Sequence, residues 1–227
     1  INDAAHPDLI SGLTGTAIKI NKSSTPQITK SEIGGNALGT YSVTHQPNNF
    51  FNCKRGLYMT RTNAVVSYNH YSNITYAGIH ANNGAGSEFL IDSNDFLNCN
   101  RGFLARNMNH VNQIIVTRNY YNHQNTYQPP ANVTNWVRMA FAIHNFIKGP
   151  ITGYMQFNNN CKGFKTCFSL INVVDYSIGS NDPIVMDNGA LNSERYGIRL
   201  TGCERTRIRW NKIKFDLNIS NINTVWR

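Results

Sequence analysis

Short runs in which apolar and polar residues alternate recur along the chain, each opened by a glycine: Gly56-Leu57-Tyr58-Met59, Gly78-Ile79-His80, Gly102-Phe103-Leu104-Ala105 and Gly197-Ile198-Arg199-Leu200. A period of two sends successive side chains to opposite faces of an extended chain, so these runs predict β-strands. A second set closes on an asparagine three residues after an aliphatic: Val66 to Asn69, Ile91 to Asn94, Val116 to Asn119 and Ile208 to Asn211. No apolar stripe at helical spacing with caps is sustained, and glycine and asparagine interrupt every candidate helix. The pattern predicts an all-β chain.

The strands belong to a repeat. Asn48-Asn49-Phe50-Phe51-Asn52-Cys53-Lys54-Arg55-Gly56 returns 46 residues later as Asn94-Asp95-Phe96-Leu97-Asn98-Cys99-Asn100-Arg101-Gly102, with six of nine positions identical. A degenerate copy between them, Asn69-His70-Tyr71-Ser72-Asn73 leading to Gly78, sets the period at 21 to 25 residues, and Asn119-Tyr120-Tyr121-Asn122 supplies the next copy. A leucine-rich repeat needs its Leu pattern and a propeller needs blades of about 40 residues, and neither is present. Short strands at this period, with an asparagine at a turn and a glycine reopening the next strand, are what a parallel β-helix requires. There each coil buries its apolar face only against its neighbours.

On the Asn-x-aromatic steps at Asn48, Asn69, Asn94 and Asn119 and the Gly-apolar-x-apolar strands, the chain resembles the pectin-lyase-like superfamily, especially its generic short-repeat members. The resemblance runs from roughly Gly15 to Leu217. It implies a right-handed parallel β-helix with coils of about 22–25 residues. It is specific for architecture and weak for chemistry.

Two regions break the period. A polar insertion from Asn122 to Trp136 delays the strand Met139-Ala140-Phe141-Ala142-Ile143 and predicts a loop thrown out from a turn. Asp175 to Glu194, with Gly179, Asn181-Asp182-Pro183 and Asp187-Asn188-Gly189, predicts a second, irregular long turn. No linker divides residues 1–227, which are expected to form one domain. The start at Ile1, without initiator Met or signal-peptide core, suggests a processed or excised part of a longer chain.

Composition narrows the function classes. With 227 residues, 41% hydrophobic and 15% charged, the chain can bury a sizeable core, which excludes a disordered or fibrous protein. No apolar run is long enough for a membrane-spanning helix. The 34 asparagines suit left-handed turn positions and stacked amide ladders. A net charge of +9 favours a polyanionic partner, whereas sequence-specific nucleic-acid binding has no motif in its support. The five cysteines are odd in number and lack a CxxC spacing, so at least one has no intrachain disulfide partner. Cys53 and Cys99, at equivalent turns two coils apart, lie beyond disulfide reach and are expected as small buried hydrophobes.

Projecting the alternation outward gives two aligned columns: Tyr58, His80, Leu104, Ala142 and Arg199, then Thr60, Asn82, Arg106, His144 and Thr201. His80, Arg106 and His144 are thereby expected on one exposed face, with Tyr127 and Trp136 of the insertion walling it as flat surfaces for sugar rings. These five are the candidate ligand-binding residues. No catalytic residue is assigned. Protonation of the two histidines below about pH 6.5 is expected to add charge for an anion. Lys54, Arg55, Arg101 and Lys162 are expected as a basic ridge at a turn, and Arg205, Arg207, Arg209, Lys212 and Lys214 as a solvated cluster.

Carboxylates are thinly spread, and only Asp92 and Asp95 form a pair near a regular coil, so a glycoside hydrolase is not indicated. No cofactor is required; a Ca²⁺ ion held by Asp175, Asp182 and Asp187 is the one possibility left open. The expectation is a secreted, cell-surface or virion scaffold, without catalysis, presenting a face to an anionic polysaccharide or another surface protein. A polysaccharide lyase acting on uronate, as the resemblance implies for its enzymes, and a phage tailspike or fibre segment are the alternatives.

Overall fold

The computed structural model describes residues 15–21, 31–34, 48–124, 126–131, 133, 136–148, 155–157, 159–179, 188–209 and 211–215. All regular structure among them is strand. In chain order the strands are β1 (Thr16–Asn21), β2 (Ser31–Gly34), β3 (Asn49–Phe51), β4 (Arg55–Thr60), β5 (Ala64–Ser67), β6 (His70–Ser72), β7 (Ala77–Asn82), β8 (Glu88–Asp92), β9 (Asp95–Leu97) and β10 (Arg101–Val111). They continue with β11 (Gln113–Thr117), β12 (Tyr120–Asn122), β13 (Met139–Lys148), β14 (Met155–Phe157), β15 (Asn160–Val174), β16 (Ser177–Ile178), β17 (Asn188–Thr201), β18 (Arg207–Ile208) and β19 (Asn211–Phe215).

Each strand pairs in parallel with the strand one coil away, which builds three faces of a parallel β-helix. β1, β4, β7, β10, β13, β15 and β17 stack as one face, and β2, β5, β8, β11, β14, β16 and β18 as another. β3, β6, β9 and β12 form the third, which runs on into the first part of β15. β15 and β17 are long because each runs through the corner between two faces, with register shifts where they pair with each other there.

The alternation in the sequence becomes columns. Leu57, Ile79, Phe103, Phe141, Phe168 and Ile198 are in register and point inward, as do Val66, Ile91 and Val116. Phe50, Tyr71, Phe96 and Tyr121 stack with centroids 4.8, 5.0 and 4.8 Å apart and ring planes within 10° of parallel. A glycine column makes room for them: a Cβ on Gly56, Gly78 or Gly102 would lie within 2.7 Å of the rings of Tyr71, Phe96 or Tyr121 respectively. In the next coils the pairs change together. Ala140 takes the glycine position one coil after Gly102, and in the coil beyond it Cys161 replaces the aromatic and Cys167 the small residue.

Those two cysteines are joined by a disulfide, Cα–Cα 6.0 Å, whereas Cys53, Cys99 and Cys203 are free. Cys53 and Cys99 are buried as expected, and desolvation pushes the Cys53 thiol up to about 12 and the Cys99 thiol up as well, so neither is a thiolate at neutral pH. By loop-closure entropy the short Cys161–Cys167 ring is worth about 2 kcal/mol. The Cys161→Ala/Cys167→Ala variant should therefore unfold at lower urea than the parent, with reductant moving the parent's midpoint onto the variant's. A parent midpoint that reductant does not move would contradict this.

The asparagine ladder forms at the corner before β3, β6, β9, β12 and β15. Each amide Nδ2 donates to the Oδ1 one coil on: Asn48 to Asn69 (2.9 Å), Asn69 to Asn94 (3.0 Å), Asn94 to Asn119 (3.1 Å) and Asn119 to Asn159 (3.0 Å). Asn159 extends the row across a coil that the insertion lengthens to 40 residues. A second, exposed ladder runs Asn172 to Asn145 to Asn107 to Asn82 along the corner after the first face. Asn82 ends this ladder and donates to the Tyr58 hydroxyl at 3.3 Å. Left-handed backbone suits four more, Asn52, Asn73, Asn83 and Asn98, and also Asn107, Asn145 and Asn172 of the exposed ladder, all with φ between 51° and 56°.

The second irregular stretch is shorter than expected. Ser177–Ile178 and the chain from Asn188 onward are strand, and β17 pairs with β15 from Leu191 to Thr201 through two register shifts; residues 180–187 lie outside the described residues.

Candidate functional site

The outer side of the face containing β4, β7, β10, β13, β15 and β17 carries three columns. Arg55, Ala77, Arg101, Met139, Thr166 and Tyr196 lead. Tyr58, His80, Leu104, Ala142, Ser169 and Arg199 follow, then Thr60, Asn82, Arg106, His144, Ile171 and Thr201. Five of these eighteen side chains are arginine or histidine between Arg55 and His144, and none of the eighteen is a carboxylate. The second and third columns are those projected from the alternation, joined by Ser169 and Ile171 from a coil whose repeat is degenerate.

The face is not a plain solvated surface. Ala77, Leu104 and Ala142 point outward yet are fully buried, because Tyr76 and Met139 pack over them. Tyr76, from the turn before β7, is also the centre of the cationic group. Arg55 Cζ lies 4.6 Å from its ring centroid and Arg101 Cζ 5.1 Å, while Arg106 Nη1 donates to its hydroxyl at 3.3 Å. Arg101 Nη1 donates to the Tyr76 carbonyl at 3.4 Å. Cation–π contact lets an aromatic ring hold guanidinium groups together without a counter-charge.

His80 lies beneath this group at 5% exposure, its ring 5.0 Å from Tyr58 and 5.4 Å from Tyr76. Arg55 Nε donates to His80 Nδ1 at 3.2 Å. A nitrogen that accepts carries no proton, so the neutral ring is protonated at Nε2. That Nε2–H is buried and makes no hydrogen bond, and the same holds for Arg101 Nε–H. His144 Nε2 is likewise buried without a partner.

Burial and the neighbouring arginines lower His80 to about 3 and His144 to about 4. Both imidazoles are therefore uncharged at pH 5.5, and the expected gain of positive charge below about pH 6.5 is not available. Arginine supplies the charge instead. Arg55 and Arg101, expected in a turn ridge with Lys54 and Lys162, occupy the first outward position of β4 and β10. Tyr76 was not anticipated. The signal for all three is the residue one or two places ahead of the repeated glycines: Arg55-Gly56, Tyr76-Ala77-Gly78 and Arg101-Gly102.

Tyr127 and Trp136 join a different group. Trp136 Nε1 donates to His123 Nε2 at 3.2 Å, and the Tyr127 and Trp136 ring centroids are 5.6 Å apart. His123 also meets the Phe164 ring edge-on. The insertion returns to the coil through Asn100, whose Oδ1 accepts from Val137 N at 2.6 Å and whose Nδ2 donates to Thr75 O at 3.0 Å. So the structure brings His80, Arg106 and His144 onto one face and assigns Tyr127 and Trp136 to packing on His123.

The carboxylates considered for chemistry are engaged elsewhere. Buried Asp92 is held by Arg118 and accepts from the Ser93 hydroxyl, and Asp95 pairs with His70 at 2.8 Å. Asp175 takes a bidentate pair from Arg205 at 2.8 and 2.9 Å; Asp182 and Asp187 lie outside the described residues. Among the described residues no three His, Cys, Asp or Glu side chains gather as a metal site. In the C-terminal basic cluster Arg205 is thus neutralised and Arg207 and Arg209 are exposed, while the Lys212 and Lys214 side chains lie outside the described residues.

Acid sensitivity follows from the histidines. His80, His123 (about 4) and His144 all have folded-state values below the ordinary 6.5. The unfolded chain then binds protons more readily, so stability is full above about pH 6.5 and falls as pH drops toward 4. His70 has the opposite sign: its bond to Asp95 raises it, a contribution lost as pH rises. The net expectation is a urea midpoint that decreases from pH 7 to 4.5, with a smaller decrease in His80→Gln. An identical pH dependence in that variant would remove His80 from the account.

No family model, no curated protein and no solved structure matches this chain.

Proposed function

We propose that this chain is a secreted or surface-displayed scaffold of the pectin-lyase-like kind that binds an acidic polysaccharide on the face centred on Tyr76. The observation that carries the reading is the convergence of Arg55, Arg101 and Arg106 on one tyrosine, in columns without a carboxylate. Like charges held together unneutralised repel, and a polyanion laid across them relieves that repulsion. Arg199, over the Tyr196 ring at 5.6 Å, repeats the cation–aromatic motif farther along the same face and lengthens the track. Binding without cleavage is the expected behaviour. Proton abstraction next to a uronate needs an accessible base; the lone pair of His80 is taken up by Arg55, and His144 Nε2 is buried.

Affinity for an acidic polysaccharide, measured by calorimetry, should fall about tenfold in Arg101→Ala/Arg106→Ala and decline steeply with added salt. Arg207→Ala/Arg209→Ala should leave it within about twofold, because those residues lie on another face. Equal affinity of parent and Arg101→Ala/Arg106→Ala would reject the proposed face. Release of an unsaturated, ultraviolet-absorbing uronate product would instead establish a lyase.

A further inference from the structure

We infer that the arginine cluster around Tyr76 recognises a tetrahedral oxyanion ester on the polysaccharide, a sulfate or phosphate group, in preference to a uronate carboxylate. The inference rests on the anionic-glycan reading and names the ligand class of that site.

The argument is one of donor geometry. A carboxylate has two coplanar oxygens and is best met by one whole guanidinium fork, two parallel N–H groups of the same arginine. Arg101 and Arg106 each keep one such fork, the Nε–H with the outer Nη–H, but the site brings three guanidinium groups to one ring, more than a single carboxylate can use. Arg55 spends its Nε–H on His80, Arg101 spends an Nη1–H on the Tyr76 carbonyl, and Arg106 spends an Nη1–H on the Tyr76 hydroxyl. Each is fixed by one protein bond, and their remaining N–H groups come from three side chains around one ring. Three donors from separate directions suit an anion with three terminal oxygens.

The buried, unpartnered groups point the same way. Arg101 Nε–H and His80 Nε2–H are both donors, and His80 is 5% exposed. A buried donor left unbonded is costly, so a ligand rich in acceptor oxygens gains by meeting it. No carboxylate in the three columns competes for these N–H groups.

The test compares dextran sulfate, phosphorylated dextran and polygalacturonate at matched charge density, each titrated into the intact protein. Dextran sulfate, phosphorylated dextran or both should bind at least about tenfold more tightly than polygalacturonate, and the stronger of the two identifies the ester. Arg101→Lys keeps the charge but removes the Nε–H, and should abolish the preference while changing polygalacturonate affinity less than about threefold. Arg106→Lys gives the same reading should Arg101→Lys fail to fold. Equal affinity for all three polymers overturns this inference and leaves the anionic-glycan reading standing. Binding to none of them overturns both. A preference that survives Arg101→Lys and Arg106→Lys shows general attraction to charge density and also overturns the inference.

Discussion

Replacing Asn94 with alanine should lower stability by about 2–4 kcal/mol, read as a fall in urea midpoint at unchanged slope. Asn94 is 1% exposed and its amide is saturated. Its Oδ1 accepts from Asn69 N at 3.1 Å and Asn69 Nδ2 at 3.0 Å. Its Nδ2 donates to Val66 O at 2.8 Å, Asp92 O at 3.0 Å and Asn119 Oδ1 at 3.1 Å. Alanine orphans the buried Asn69 N–H and takes a donor from two backbone carbonyls, where water has no ready access. Asn94→Asp keeps the acceptor but buries a charge among carbonyls and should cost at least as much. Asn82→Ala, at the end of the exposed ladder, should cost less than about 1 kcal/mol, since water replaces what is lost. An Asn94→Ala cost no larger than that of Asn82→Ala would show that the inner ladder contributes little.

Phe96→Ala should cost about 3–5 kcal/mol, the other large effect, because it removes the middle of the aromatic stack. Phe96 contacts Tyr71 at 5.0 Å and Tyr121 at 4.8 Å, and all three rings are fully buried. The coils above and below hold these rings in place, so the gap cannot close without breaking strand register. The same packing makes Gly78 intolerant: a Cβ there would sit 2.7 Å from the Phe96 ring and 2.9 Å from Gly102 O. Gly78→Ala should therefore cost about 1–3 kcal/mol by overpacking. In Gly78→Ala/Phe96→Leu the smaller side chain relieves part of that clash, so the two costs should be less than additive. Strict additivity would disprove the pairing of small residue and ring.

Much of the architecture is legible in the sequence because a β-helix is close to one-dimensional. Once the repeat is aligned on Asn48, Asn69, Asn94 and Asn119, the period of two assigns Leu57, Ile79 and Phe103 inward and Tyr58, His80, Arg106 and His144 outward. The parallel register keeps every assignment. The inner ladder and the Phe50-to-Tyr121 stack follow from the same alignment, since identical positions in successive coils must touch. Where the repeat degenerates, as at Asn159 and Phe168, the alignment lapses although the coil does not.

What lies over the outer face was decided by tertiary structure alone. Period two tells which side of a strand a residue occupies, but not whether a long side chain from another coil folds across it. Tyr76 reaches over Leu104 and draws in Arg55 and Arg101, which are 46 residues apart in sequence, and this burial leaves His80 and His144 uncharged. The exposed amide ladder, the Cys161–Cys167 bond and the packing of Trp136 on His123 arise the same way, from distances across coils. Local pattern specifies direction relative to the sheet; proximity and solvation depend on every neighbour in space, and those set the charge and the free donors of the site.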